Sequence, residues 1–239
     1  MNYRVQMLDR EIMAGQMMAF RVTRPEGFNF LAGQFCLITV PDTGFQDAAG
    51  LRRPLSIASS PLEKHLLFTV RLTDSAFKRT LREMPEGRPI DIEGPVGQFI
   101  LPQDTEIPLV FLAGGVGVAP FRSMMRYVAD APTGHRVTVF YSSRVPEEAL
   151  FLEEFEEIAG RLPFITVVTT ITRPEQSATK WSGPTGRLTA QVIKERCKDW
   201  SRAIYYVSGP PVMVEGMRVM LGGMEIDQGH IKQEVWTGY

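Results

Sequence analysis

Three glycines crowd the segment Gly114-Gly115-Val116-Gly117, directly behind the apolar run Leu109-Val110-Phe111-Leu112-Ala113. Bare backbone lets a ligand approach closely, and glycine turns the chain at little steric cost. A helical pattern opens at Val118 and carries Pro120, so free N–H groups and the positive end of a helix dipole would face an anion. That chemistry is a diphosphate cradle, although the same segment also makes a plain strand-to-helix turn. Its spacing, G-G-x-G-x-x-P, does not meet the G-x-G-x-x-G dinucleotide fingerprint.

Two further stretches carry comparable chemistry. Tyr141-Ser142-Ser143-Arg144 sets hydroxyls beside a cation, suited to a ribose or an adenine edge, or else to a solvated turn. Ser208-Gly209-Pro210-Pro211-Val212-Met213 permits close approach at Gly209 and starts a helix at its prolines. Nearer the N-terminus, Arg52-Arg53-Pro54-Leu55-Ser56 places cations and a hydroxyl around a strand that Pro54 confines to an edge or to a ligand's side. Lys78, Arg79 and Thr80 sit in the early turns of a short helix, suited to a phosphate.

The elements that position these residues change character near Leu101-Pro102. Before it come short runs at Tyr3 to Leu8, Met17 to Thr23, Gln34 to Val40, Arg53 to Ala58, Leu66 to Leu72 and Pro89 to Ile92. Their two-residue alternation, at Phe68, Val70 and Leu72 for instance, predicts a small antiparallel barrel. One helix, Ser75 to Met84, interrupts it. After Pro102, strands at Leu109–Ala113, Arg136–Tyr141, Phe164–Thr170, Ala203–Val207 and Ile231–Val235 alternate with helices. The helices are expected at Val118–Ala129, Glu147–Ala159, Thr189–Cys197 and Val212–Leu221, and Arg173 to Arg187 reads as a loop. That rhythm predicts a doubly wound parallel sheet, whose ligands gather at the carboxyl ends of its strands. Two domains are expected, 1–102 and 103–239.

Composition narrows the function. The 239 residues carry 44% hydrophobic and 22% charged side chains, ordinary for a globular chain. A net charge of −1 without a basic block argues against nucleic acid as a partner. No apolar core of a signal peptide and no spanning run stands out, so no membrane span and a cytoplasmic location are expected. Cys36 and Cys197 read as buried free thiols, and two cysteines cannot supply an iron–sulfur cluster. No metal site is expected.

Arg53-Pro54-Leu55-Ser56 resembles the R-x-Y/F-S/T flavin motif of the ferredoxin–NADP reductase superfamily. Gly114 to Pro120 is similar to its nicotinamide-nucleotide motif, and Ser208 to Met213 to its C/S-G-P-P-x-M motif. Gly94-Pro95-Val96-Gly97 resembles the G-P-x-G turn that closes its flavin barrel, and Glu234 to Tyr239 its aromatic tail. The motifs keep the family order and cover nearly the whole chain. Two departures stand out: Leu55 replaces an aromatic, and Ser208 replaces a frequent cysteine. No cluster-binding extension follows Tyr239, so the iron–sulfur relatives are not expected.

The resemblance implies a flavin barrel followed by a pyridine-nucleotide domain. Arg53 would hold flavin phosphate, with Pro54, Leu55, Arg71, Lys78, Gly94 and Gly97 also on the cofactor, and Ser56 near the flavin N5. Thr80, in the family's helix-start position, would bind the diphosphate, which favours FAD over FMN. Gly114, Gly115, Gly117 and Pro120 would admit the NAD(P) diphosphate, with Tyr141, Arg144 and Arg173 around the adenosine. Ser208, Gly209, Pro210 and Met213 would lie under the nicotinamide. Trp236, or else Tyr239, would stack on the flavin, making Ser56 and Trp236 the catalytic pair.

The expected activity is an FAD-dependent NAD(P)H oxidoreductase. It would move hydride from nicotinamide to flavin and then single electrons to ferredoxin, flavodoxin or an oxygenase component. Arg173 with Arg144 leans the coenzyme toward NADPH over NADH. Two alternatives stay open: a reductase that uses flavin as substrate, and a non-catalytic electron-transfer subunit of a larger complex.

Overall fold

A computed structural model of the chain describes residues 1–13 and 16–235. Its first half is one antiparallel six-stranded sheet built from β1 (Asn2–Met13), β2 (Met17–Val22), β3 (Phe35–Thr39), β4 (Arg52–Ser56), β5 (Leu66–Arg71) and β6 (Pro89–Val96). The strand order is β4-β3-β6-β1-β2-β5. The sheet rolls toward closure, since just beyond β4 the Ala58 amide donates to the Leu67 carbonyl at 2.8 Å. Alternation drives the curl: Val5 and Met7 are buried from β1, and Met18, Phe20 and Val22 from β2. Phe20 and Phe68 stack inside at 5.5 Å between ring centroids.

β1 is longer than its apolar pattern predicts and continues through Asp9, Arg10 and Glu11. Backbone pairing explains this, because β6 satisfies its first part and β2 its second. The Pro54 strand, β4, lies at one end of the strand order, where one missing amide donor breaks no inner ladder. The helix α1 (Ala76–Glu83) begins on Ser75, whose hydroxyl accepts from the Lys78 amide.

The second half is a five-stranded parallel sheet in the order β11-β10-β7-β8-β9. Its strands are β7 (Leu109–Gly114), β8 (Val137–Ser143), β9 (Ile165–Ile171), β10 (Ile204–Gly209) and β11 (Ile231–Val235). β7 is buried throughout and feeds both faces. Leu109, Phe111 and Ala113 pack with Phe121, Met124 and Phe155 from α2 (Ala119–Asp130) and α3 (Leu152–Arg161). Val110 and Leu112 pack oppositely, with Ile193, Val214 and Leu221 from α4 (Ala190–Arg196) and α5 (Pro211–Gly223). Strand β7 is thus covered on both sides, as its unbroken apolar sequence requires.

The helix expected over Glu147–Ala159 divides. Pro146–Glu148 form one 3-10 turn, Ala149 and Leu150 are buried, and Phe151 takes φ 62° before α3 starts. A left-handed phenylalanine ends any helix continuing from the acidic turn. The halves are joined by packing and by polar contacts: Met17, Ala32 and Phe99 enter the core of the parallel sheet. Arg122 reaches from α2 to the Ala58 carbonyl and to Glu63, while its Nε binds Glu154 on α3.

Candidate active site

The carboxyl ends of β7, β8 and β10 meet in one place. After β7 the chain makes a 3-10 turn at Gly115–Val118 and enters α2, with Pro120 in its first turn. Gly115 has φ +53°, and nothing stands within 4 Å of where its Cβ would be, so the backbone is bare on that side. Gly117 has the opposite surroundings. A Cβ there would lie 2.5 Å from the backbone of Ser208 and Gly209, so the turn after β7 can touch the end of β10 only with glycine. Met213 lies over Gly114.

These ends border a cleft of about 310 Å³ that takes in Gly114, Gly115, Arg144, Pro210 and Met213, together with Arg71 from the barrel. Ser142 and Thr172 line it too, and both continue into an adjoining cavity of about 620 Å³ bordered by Arg187, Leu188, Met217 and Met220. Arg71 crosses between the halves and donates to Glu148 at 3.1 Å.

Ser56, the last residue of β4, is buried, and its hydroxyl donates to Glu234 Oε2 at 2.8 Å. Glu234 belongs to β11 and is buried as well, so a barrel strand and the edge strand of the parallel sheet share a hydrogen bond away from water. Ser208 is fully buried, and its hydroxyl finds no hydrogen-bond partner among the described residues.

The barrel's cations gather beside α1. Arg53 lies over the Phe77 ring, and one guanidinium nitrogen donates to the carbonyls of Ala49, Gly50 and Arg52. Lys78 is buried, and burial first, then the nearby charges of Arg53 and Arg71, push its pKa down. Repulsion among these three is what a bound anion relieves. The start of α1 already carries one carboxylate, as Asp47 accepts from the Ala76 amide at 2.6 Å and the Ala49 amide at 2.8 Å. Those amide bonds, the Ala76 one foremost, hold the Asp47 carboxyl below its ordinary range.

Several expected residues stand elsewhere. Thr80 is not at the helix start but in the interior of α1, buried, with its hydroxyl 2.9 Å from that of Thr43. Tyr141 does not offer its hydroxyl to a ribose, because the ring is fully buried near Phe155 and burial raises its pKa. Arg173 is exposed and does not line the cleft; its amide donates to the Arg144 carbonyl, which places Arg144 and Thr172 there instead. Gly94 and Gly97 flank the end of β6, against Cys36 and Phe35. Leu55 packs partly buried on the barrel core. Trp236 and Tyr239 lie outside the described residues. Glu234 is the residue that sequence reasoning missed, since only a contact spanning 178 positions reveals it.

Residues 111–219 match the family described as the oxidoreductase NAD-binding domain. The glycine betaine monooxygenase reductase subunit of Chromohalobacter salexigens is 27% identical over 90% of this chain and 58% of its own length. The anthranilate 1,2-dioxygenase electron transfer component of Acinetobacter baylyi is 28% identical over 86% of this chain and 58% of its own. The chain therefore spans somewhat over half the length of these curated relatives. Among solved structures, a ferredoxin NADP+ reductase from Neisseria gonorrhoeae with bound FAD and NADP superposes with a TM-score of 0.80 at 21% identity, over 98% of both chains. The Amycolatopsis cytochrome P450 reductase gives 0.82 at 22% identity, over 99% of this chain and 71% of that one. An antiparallel barrel ahead of a parallel sheet is thus the fold that this chain shares with these reductase structures, and residues 111–219 match the oxidoreductase NAD-binding domain.

Proposed function

We propose that the chain is an NAD(P)H-dependent flavin oxidoreductase that hands electrons to a separate acceptor. The observation that carries this reading is the buried Ser56–Glu234 hydrogen bond, set where the barrel meets the carboxyl ends of the parallel strands. The residues present fit both ligands. Bare backbone at Gly115 and the N–H groups opening α2 suit a diphosphate, and the Ser208 hydroxyl, without a partner among the described residues, suits a polar ring substituent. The crowded cations Arg53, Arg71 and Lys78 suit the phosphates of a flavin nucleotide, with FAD preferred to FMN.

A bound flavin supplies the ability to take two electrons from a nicotinamide and to release them singly. The chain's own residues do the rest. Ser56 and Glu234 hold a proton in a fixed hydrogen bond at the seam between the halves. Gly117 and Gly209 bring two strand ends together so that Gly114, Pro210 and Met213 form one wall of the cleft. The Arg122 bridge to Glu63 and Glu154 keeps the two walls in register. Residues 1–102 are assigned to the flavin and 103–239 to the nucleotide.

The relatives named as a reductase subunit and an electron transfer component of oxygenases support a protein acceptor: an oxygenase component, a ferredoxin or a flavodoxin. The test is direct: the dialysed protein is assayed for bound FAD and for NADH and NADPH oxidation with a dye. A protein that holds no flavin and oxidises neither coenzyme, with or without added FAD, overturns the reading. A second reading, flavin as substrate, is favoured by Asp47, which sets a negative charge at the start of α1 beside the cations. Turnover only with added free flavin would select it.

A further inference from the structure

The coenzyme cleft carries one charge that a diphosphate site does not call for. Among the described residues that border it, Arg71 and Arg144 are cations, but Glu148 adds a carboxylate. A bare carboxylate there would repel the phosphates. It is not bare, because Arg71 Nη2 donates to Glu148 Oε2 at 3.1 Å. The Arg71 and Glu148 side chains are 28% and 18% exposed, so solvent and a ligand reach both groups.

The pair also spans the two halves. Arg71 ends β5, which packs against the Gly115–Val118 turn, and Glu148 ends the 3-10 turn that follows β8. Glu147 pins that turn by accepting from Ser177 and Thr179. Glu148 therefore stands on a fixed support, and Arg71, on its long stem, is the member that turns. Burial first, and then the charges of Arg53 and Arg71, push the Lys78 pKa down. An Arg71 without a counter-charge would be costly beside those cations.

Resting on the coenzyme reading above, we propose that Arg71 and Glu148 form a phosphate-responsive latch. In the empty cleft Glu148 neutralises Arg71 and ties the barrel to the parallel sheet. When the coenzyme diphosphate enters, the Arg71 guanidinium leaves the carboxylate for phosphate oxygens, and Glu148 is left to solvent. A diphosphate carries more charge and offers more acceptor oxygens than one carboxylate, so it wins the exchange. Coenzyme entry thus releases one tie between the halves and leaves those of Arg122 and Ser56 in place.

The probes are ADP, which carries the diphosphate, and adenosine, which lacks it, titrated calorimetrically into the full chain and its variants. Glu148→Gln removes the competing charge, so it should tighten ADP about threefold to tenfold and leave adenosine unchanged. Arg71→Met should weaken ADP about tenfold. The guanidinium nitrogen resonances of Arg71 report the exchange directly. They should differ between ligand-free wild type and Glu148→Gln, and reach a common position when both chains are saturated with ADP. Adenosine should not move them. Unchanged or weaker ADP binding in Glu148→Gln, an equal gain for adenosine, or an Arg71 signal that ADP leaves in place overturns the latch while the coenzyme reading stands. A wild type that does not bind ADP overturns both.

Discussion

Ser56 on the barrel and Glu234 on the last strand of the parallel sheet share a 2.8 Å hydrogen bond, although 178 residues separate them. Both are buried, and leaving a buried carboxyl oxygen without its donor costs about 1–3 kcal/mol. Ser56→Ala should therefore lower the unfolding free energy by that amount in urea titrations. It should leave flavin content nearly unchanged and slow NAD(P)H oxidation. Unaltered turnover with altered stability would reduce the pair to a structural tie.

Arg122 gives a second, purely mechanical expectation. Its side chain is 10% exposed and contacts Glu63, Glu154 and the Ala58 carbonyl, with Phe151 under the guanidinium. Removing one partner of a buried charge network costs about 3–5 kcal/mol. The two carboxylates keep some solvent, so Arg122→Met should fall near the lower end. Glu63→Gln should cost less than Arg122→Met, because Glu154 still pairs with the guanidinium. The reverse order in thermal unfolding would contradict this arrangement.

How much of this was legible beforehand follows from local physics. β7 and its glycine turn could be read directly, because a strand buried on both faces has no polar positions and Gly117 has no room for a side chain. The helix expected from Ser75 to Met84 is α1, and Ser75 is the residue that caps its start. The acidic run at Glu147 and Glu148 looked helical, but burial of Ala149 and Leu150 and the left-handed Phe151 stop a continuous helix there. Glu234 entered the sequence reading only as the first residue of the tail segment, since its hydrogen bond to Ser56 depends on where β11 docks and not on its neighbours in the chain.

Glu147 supplies a pH-dependent expectation. Its carboxylate accepts from its own amide, from the hydroxyls of Thr179 and Ser177 and from the Thr179 amide, and these bonds lower its pKa from 4.5 to about 2. A depressed folded-state value means the stabilisation is fully present above about pH 4.5 and fades as pH falls toward 2. The Thr179 amide shift should follow that titration, with the segment around Ser177 released at its acid end. A midpoint at the ordinary carboxylate value, or no change with Glu147→Gln, would show that the contact is not formed in solution.

Flavin anchoring divides between two cations. A charge-assisted phosphate contact contributes about 1.5–3 kcal/mol, so Arg53→Ala and Lys78→Met should each lower flavin affinity roughly tenfold to a hundredfold. Asp47→Asn should act in the opposite direction, removing a negative charge from the start of α1 beside Arg53. Equilibrium dialysis with FAD measures all three. Weaker flavin binding in Asp47→Asn would mean that the carboxylate serves mainly to hold Arg53 in place.

Coenzyme choice turns on which guanidinium reaches the adenosine end of the cleft. Arg144 borders the cleft beside Ser142 and Thr172, hydroxyls suited to a ribose phosphate. Arg173, the first candidate by sequence, is exposed, and its amide is tied to the Arg144 carbonyl, so its backbone contact supports the residue that faces the ligand. A guanidinium grips a 2′-phosphate through two parallel hydrogen bonds, a contact that NADH cannot make. Arg144→Ala should therefore reduce kcat/KM for NADPH about tenfold to a hundredfold and spare NADH. Arg173→Ala should leave both coenzymes within about twofold of wild type, because it removes a side chain and keeps the amide that holds Arg144. A wild type that prefers NADH, or a selective NADPH loss in Arg173→Ala with Arg144→Ala silent, would move the phosphate site back to the loop.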